Sequence, residues 1–159
     1  MNTSDIVKYA YDLDRAWLAG FIDGEGFIGI IYQLKKKTNT NSATPRYFPL
    51  LVIANCNRES LEYVKVILGE GKVYSVRNPD GKWKEAFQYR LTKQESLLQA
   101  LHSIFPYLRI KRSQCRTLIE FLERRKNIKP KTGRGQIGTS FTEEDERFYR
   151  DLLSLNKRG

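Results

Sequence analysis

The segment Trp17–Gly26 reads Trp-Leu-Ala-Gly-Phe-Ile-Asp-Gly-Glu-Gly, and it marks the passage from a helix to a strand. Apolar residues in Leu13–Ile22 recur at helical spacing over an unusually wide face, so more than one side of this helix must be covered. Ala19 and Gly20 carry almost no side chain, which lets two such helices approach backbone to backbone. The glycines on either side of Glu25 end the helix and leave this acid beside the start of a strand.

The rest of the chain alternates hairpins with helices. Strands are predicted at 27–33, 47–53, 72–77 and 83–91, and helices at 13–22 (with Asp12 as N-cap), 58–68, 94–104, 113–125 and 143–156 (capped by Thr142). We expect one α+β domain over residues 1–159, with a core at 13–125, a basic linker at 126–141 and a C-terminal helix at 142–156. Its α-β-β-α-β-β-α core would form one antiparallel sheet with helices on one face, followed by extra C-terminal helices.

The composition favours an anionic partner. The 159 residues carry a formal net charge of +10, and 40% of them are hydrophobic; this is ample for a core and indicates nucleic acid ahead of acidic lipid. No apolar run reaches the roughly 20 residues of a membrane span, and the N-terminus lacks the apolar stretch of a signal peptide, so we expect an intracellular protein. Two cysteines and one histidine cannot supply a zinc finger, so hydrolytic chemistry must rest on carboxylates, lysines and water.

Leu18–Gly26 resembles the nine-residue LAGLIDADG motif, with Phe21, Gly24 and Glu25 as variants at its fourth, seventh and eighth positions. Residues 48–71 (strand, polar residue, helix, Gly-x-Gly) and 106–111 (Pro, aromatic, Leu, basic, apolar, Lys) are similar to later segments of the same family. The resemblance implies a single-motif homing endonuclease with the LAGLIDADG fold. Such a protein is a homodimer that cuts both strands of a long, near-palindromic DNA target with Mg²⁺ and so promotes intron homing.

The resemblance also assigns the chemistry to particular residues. Glu25 and the backbone carbonyl of Gly24 are expected to ligate Mg²⁺ shared between two subunits, and Lys111 is expected to reach into the active site. Asn55 occupies a position where relatives often have a glutamine, and we assign it a catalytic part in positioning water. From the residues alone, Glu25 could also be a solvated turn acid, Asn55 a turn former at a strand end, and Lys111 a phosphate contact without a chemical part.

A twofold axis between paired motif helices would bring two copies of Glu25 together, since a chain with one motif supplies only one such motif acid. We place this dimer interface at Trp17, Ala19, Gly20 and Asp23. Asp23 receives no catalytic part, because its position in the family tends to be structural. The alternative is that the small residues pack inside a single domain.

Strand alternation assigns one face of the sheet to reading DNA. A β-ribbon of this kind fits the major groove. We expect DNA contacts from Gln33, Lys35, Lys37, Arg46, Lys72, Tyr74, Gln88, Arg90, Arg109, Arg112 and Arg116. The excess of basic residues continues to Arg134 and suits phosphate contacts along its length, with Arg124 and Arg125 among them. The alternative for any one of these residues is a solvated position.

Other functions stay open at this point. A relative that has lost cleavage would be a nucleic-acid-binding protein, either an intron RNA maturase or a DNA-binding regulator, although it need not retain both Glu25 and Lys111. An unrelated nuclease could use Asp80 and Glu85, but their setting in a hairpin turn fits this poorly. Neither a membrane nor a small-molecule substrate is expected.

Overall fold

The computed structural model describes residues 2–35, 44–77, 80–128, 131–133, 136–138 and 141–157. Its first half contains α1 (Thr3–Glu25), β1 (Gly26–Lys35), β2 (Thr44–Asn55), α2 (Arg58–Leu68), β3 (Lys72–Val76) and β4 (Ala86–Leu91). Its second half contains α3 (Gln94–Ile104), α4 (Arg112–Asn127), β5 (Lys131–Gly133), β6 (Gln136–Gly138) and α5 (Glu143–Lys157). No helix in these ranges has the length and apolarity that a bilayer crossing requires.

The four long strands form one antiparallel sheet in the order β1-β2-β4-β3. One parity of β1, β2 and β4 is buried beneath the helices, as Ile28, Leu51, Ile53 and Tyr89 show with no exposed surface. The opposite parity carries most of the polar strand residues. The predicted α+β class and the antiparallel sheet with helices on one face are therefore confirmed.

The motif helix is longer than its apolar spacing predicted. Helix α1 begins at Thr3, so the expectation that Asp12 caps it is wrong. The Asp12 carboxylate instead accepts a hydrogen bond of 2.9 Å from the Tyr107 hydroxyl, a contact that no local pattern reveals. Strand β2 also extends further than expected at both ends, because it pairs with β1 over residues 44–53 and with β4 over residues 51–55.

Helix α5 packs beside the edge strand β1. Asn156 donates 3.1 Å to the carbonyl of Ile28, which protects an edge strand from unwanted pairing. At its other end α5 begins as predicted at the Thr142 cap, where the Asp145 carboxylate accepts 2.7 Å from the Thr142 amide. The predicted linker before it is wrong in part, since β5 and β6 pair there as a short hairpin.

Candidate functional site

The end of helix α1 presents an acid to solvent. Glu25 is the last residue of α1 and is exposed, and within the described ranges no group donates a hydrogen bond to its carboxylate. Gly24 is exposed too, and a side chain built there would meet nothing within 4 Å. The described segments contain no cluster of three or more His, Cys, Asp or Glu residues that could hold a metal. One copy of the chain therefore offers only part of a metal-ligand set at this end.

Asp23 joins this helix end to the turn before α4. Its carboxylate accepts 2.7 Å from the amide of Arg109 through one oxygen and 2.8 Å from the amide of Lys111 through the other. The Lys111 Nζ then donates 2.5 Å to the backbone carbonyl of Asp23. These bonds hold the Lys111 ammonium at the end of α1, two residues before Glu25. The structure thus places two of the three predicted catalytic residues, Lys111 and Glu25, at the same end of α1.

The surroundings of Asp23 favour its charged form. Burial raises the pKa of this carboxyl, but the backbone amides of Lys111, Arg109 and Ile110, with the Lys111 charge, outweigh burial and hold the pKa below its usual range. Only 9% of Asp23 is exposed, so water competes little with these donors. The Asp23 side chain is therefore engaged within its own chain, and its predicted place at a dimer interface stays a prediction.

Asn55 closes the turn between β2 and α2. Its side-chain oxygen accepts 2.8 Å from the amide of Asn57. Asn57 in turn caps α2, accepting 3.0 Å from the amide of Ser60. The side-chain oxygen of Asn55 is thus engaged in the turn, and its NH₂ group donates to no described residue.

A stripe along α1 faces solvent opposite the core. Trp17 (41% exposed), Leu13 (52% exposed) and Gly20 lie on it, and a Cβ at Gly20 would meet nothing within 4 Å. Trp17 continues the stripe onto α2 through an edge-on contact with Tyr63, whose ring centroid is 5.2 Å away. In contrast, Ala19 has no exposed surface and packs in the core of its own chain. The expectation that Ala19 meets a partner helix is therefore wrong, while Trp17 and Gly20 remain accessible.

The open face of the sheet carries the predicted DNA-reading residues of the strands on several cross-strand rungs. Gln33 pairs with Arg46 across β1 and β2. Phe27, Val52, Arg90 and Lys72 form a rung across all four strands, and Ala54, Gln88 and Tyr74 form the next. The register places Lys35 on the same face, without its side chain being described, and Lys37 lies outside the described residues.

The charged strand residues on this face are all basic. None of the strand residues that the register places there is acidic. Lys72 and Arg90 are direct cross-strand partners, an arrangement of like charges that destabilises a sheet unless an anion covers it. Arg90 Nε donates 2.7 Å to the side-chain oxygen of Gln88, which holds the guanidinium in one orientation above the strand. The face is thus suited to an extended anion with base-like hydrogen-bonding groups.

The arginines of the basic run separate into two sets. Arg112 and Arg116 form no ion pair with any described residue, and both guanidinium groups lie over the Phe105 ring, at 4.6 and 5.7 Å from its centroid. Arg124 and Arg125 are instead paired with the buried Asp145. Arg124 and Arg125 are therefore engaged within the chain, unlike Arg112 and Arg116. Sequence spacing gave no signal for these pairs, because Asp145 is about 20 residues away along the chain.

Comparison with known proteins matches most of this architecture. Residues 18–124 fit the model of the LAGLIDADG endonuclease family. DNA endonuclease I-CvuI of Chlorella vulgaris is 30% identical over 127 residues, a match that covers 74% of this chain and 68% of that protein.

Two solved structures share the fold at lower identity. The crystal structure of I-CvuI in complex with its target in the presence of Ca has a TM-score of 0.63 and 21% identity, covering 91% of this chain and 98% of that one. The archaeal intron-encoded homing endonuclease I-Vdi141I, solved in complex with DNA, has a TM-score of 0.66 and 19% identity, covering 93% and 85% of the two chains.

Proposed function

The chain belongs to the LAGLIDADG endonuclease family, and from this premise we propose that it cuts both strands of a long, near-palindromic DNA site by metal-dependent phosphodiester hydrolysis. Such a break would promote homing of an intron into the cut site. The observation that carries the proposal is the convergence of Glu25 and Lys111 at the end of α1. A protein that only binds nucleic acid does not need an exposed acid and a fixed lysine at that point.

The residues at the end of α1 fit a hard divalent cation. Glu25 offers a carboxylate that accepts nothing from its own chain in the described ranges, and the neighbouring Gly24, whose carbonyl would be a second ligand, is exposed. Oxygen ligands of this kind suit Mg²⁺, which keeps several waters and takes one or two carboxylates. Bound Mg²⁺ would supply an activated water and would offset charge on the phosphate. Because one chain presents a single such acid, the site would be completed by Glu25 of a second copy.

Lys111 would act on the phosphate and not on the metal. Its ammonium is half-buried and fixed at the end of α1, where it can stabilise the negative charge that develops on the scissile phosphate. Asn55 would help to orient water there through its NH₂ group, since its oxygen closes the β2–α2 turn. Hydrogen bonds within the chain would hold both Lys111 and Asn55 in place for these roles.

The second copy would pack against the exposed stripe of α1. Gly20 allows two helices to come close there, and Trp17 with its neighbour Tyr63 adds apolar area to the same surface. A twofold axis through this stripe would place two copies of Glu25 near one another. It would also align two sheets into one continuous saddle, which explains why the target would be nearly palindromic.

The open sheet face would read the major groove of each half-site. Arg46 and Arg90 are suited to guanine, and Gln33 and Gln88 to adenine, in the usual bidentate pairings. Lys72 and Tyr74 complete the inner rungs, and Lys35 and Lys37 would extend the contacts outward. Arg109, Arg112 and Arg116, which lie beyond the sheet at the start of α4, would hold backbone phosphates and set the register.

Selection from a DNA library tests the proposal. Purified protein with Mg²⁺ should linearise plasmids from a randomised near-palindromic library, and sequencing of the cut ends should return one site family. Glu25→Gln should bind the selected site within about tenfold of wild type but leave it uncut, because it removes a metal ligand and not a phosphate contact. Chelation of the metal should have the same effect. Specific binding by the wild type without cleavage in Mg²⁺ or Mn²⁺ would instead identify a nucleic-acid-binding protein.

A further inference from the structure

We propose that Asp23 is a positioning residue that aims the Lys111 ammonium at the scissile phosphate, a role that rests on the proposed function of Lys111. Three hydrogen bonds join Asp23 to the turn at 109–111, and two of them converge on a single carboxylate. The third returns from the Lys111 side chain to the Asp23 backbone. The backbone amide and the side-chain ammonium of Lys111 therefore both donate hydrogen bonds to the same residue of α1.

Lys111 needs such an anchor because of its place in the chain. It is the N-cap residue of α4, at φ −93° and ψ 24°, and its side chain makes no capping bond. Its ammonium has a flexible four-carbon stem, and a free lysine side chain loses about 2 kcal/mol of rotamer entropy when it is fixed. Because Asp23 fixes the backbone amide of Lys111, it also restricts the position from which the lysine side chain extends. Because Asp23 lies two residues before Glu25 on the same helix, the lysine and the acid share one rigid support.

A carboxylate is the side chain that this geometry requires. It presents one acceptor oxygen to the amide of Arg109 and one to that of Lys111, and bonds to a charged acceptor are stronger than neutral ones. In Asp23→Asn one acceptor becomes an NH₂ donor that faces an N–H group. One amide would then lose its partner in a site that is nine-tenths buried. The turn at 109–111 should shift without loss of the fold.

A double-mutant cycle separates positioning from general stabilisation. Cleavage is measured as a single-turnover rate on prebound target, beside the Kd for that target without a cleaving metal. Lys111→Met should slow cleavage about 10²-fold, in the range expected for loss of one charged group at the reacting phosphate. Asp23→Asn should slow cleavage about tenfold with a Kd within about twofold of wild type. In the Lys111→Met background, Asp23→Asn should not slow cleavage any further, because its effect on the rate depends on that lysine.

Tyr107→Phe is the matched control. It removes a different hydrogen bond to α1 from the same segment, the 2.9 Å contact with Asp12, but leaves the amides of Arg109 and Lys111 on Asp23. It should lower thermal stability while cleavage of bound target stays within about twofold of wild type. If Tyr107→Phe slowed cleavage as much as Asp23→Asn, general loosening of the turn would explain both, and the specific role of Asp23 would be overturned.

The outcomes distinguish this inference from the proposed function. An additive loss in the double variant would overturn the role of Asp23 while leaving Lys111 in place. Normal cleavage by Lys111→Met would overturn both. Hydrogen exchange on the wild-type protein gives a test that depends on no variant: the amides of Arg109 and Lys111 should be protected, and rapid exchange of either one would remove the anchor.

Discussion

The guanidinium of Arg124 donates to the carboxylate of Asp145 over 2.6 Å and thereby ties α4 to α5. Arg125 reaches the other oxygen of the same carboxylate at 3.2 Å, and Asp145 has no exposed surface. Thr142 adds its amide at 2.7 Å, so the buried charge is surrounded by donors. Helix α5 is in this way fixed to the endonuclease core, where its far end caps the edge strand through Asn156.

Loss of the Asp145 carboxylate should therefore destabilise the protein strongly. Asp145→Ala leaves the buried Arg125 without its counter-ion, and breaking a buried pair on one side costs about 3–5 kcal/mol. Urea unfolding should report this loss. The control is Glu144→Ala, which removes the exposed partner of Arg124 and should cost less than about 1 kcal/mol. Equal losses for the two variants would contradict the view that the buried pair holds α5.

The sequence predicted the class of fold because its signals are local. Strand alternation and helical spacing depend on neighbours, so the sheet, the order of its hairpins and helix α3 could be found from patterns alone. The catalytic candidates came from a motif whose spacing is fixed within a few residues. Asp12, Asp23 and Asp145 could not be interpreted in this way, because each accepts hydrogen bonds from partners about 20 to 95 residues away. A local pattern gives no sign of such tertiary partners.

Ala19 and Gly20 illustrate the same limit at the scale of one helix turn. Both are small and lie in the middle of the motif, so composition does not distinguish them. A rotation of about 100° per residue sends Ala19 into the core and Gly20 to solvent. Which of the two faced the core could be decided only once the position of the sheet beneath α1 was known.

Gly20 gives a direct test of the proposed dimer. Gly20→Leu would place a branched side chain on the exposed stripe of α1, where two copies are proposed to meet, so sedimentation should show monomers and cleavage should be lost. The monomer itself should be stabilised by about 0.5–1 kcal/mol, because the new side chain meets nothing in its own chain and glycine disfavours a helix. Gly20→Ala should weaken association less. An unchanged dimer with full activity in Gly20→Leu would rule out this interface.

Arg90 tests the assignment of the reading face. Arg90→Ala should weaken binding to the selected site by about 1–3 kcal/mol and relax preference at one base pair in each half-site, because a bidentate contact would be lost. Gln88→Ala should reproduce part of this change, since Gln88 orients the Arg90 guanidinium over 2.7 Å. Arg147→Ala removes the same charge from α5, where it pairs with Glu144, and should leave base preference unchanged. A relaxed preference in Arg147→Ala but not in Arg90→Ala would reverse the assignment.

Arg112 and Arg116 test the phosphate contacts. Both stack on Phe105 and neither forms an ion pair among the described residues, so both charges are available to an anion. Each phosphate that a protein neutralises adds about −0.9 to the slope of log affinity against log salt, so the double change to alanine should flatten the slope by about 3 to 4 for a dimer. The loss of affinity should be similar for the selected site and for unrelated DNA, because backbone contacts carry no base information.

The matched control is the double change of Arg147 and Arg150 to alanine. It removes the same formal charge, but these two arginines already pair with Glu144 and Glu146. For this control variant, the slope of log affinity against log salt should stay within about 1 of the wild-type slope. If the control flattened the slope as much as the Arg112 and Arg116 variant, net charge alone would govern binding and the proposed phosphate contacts at the start of α4 would be wrong.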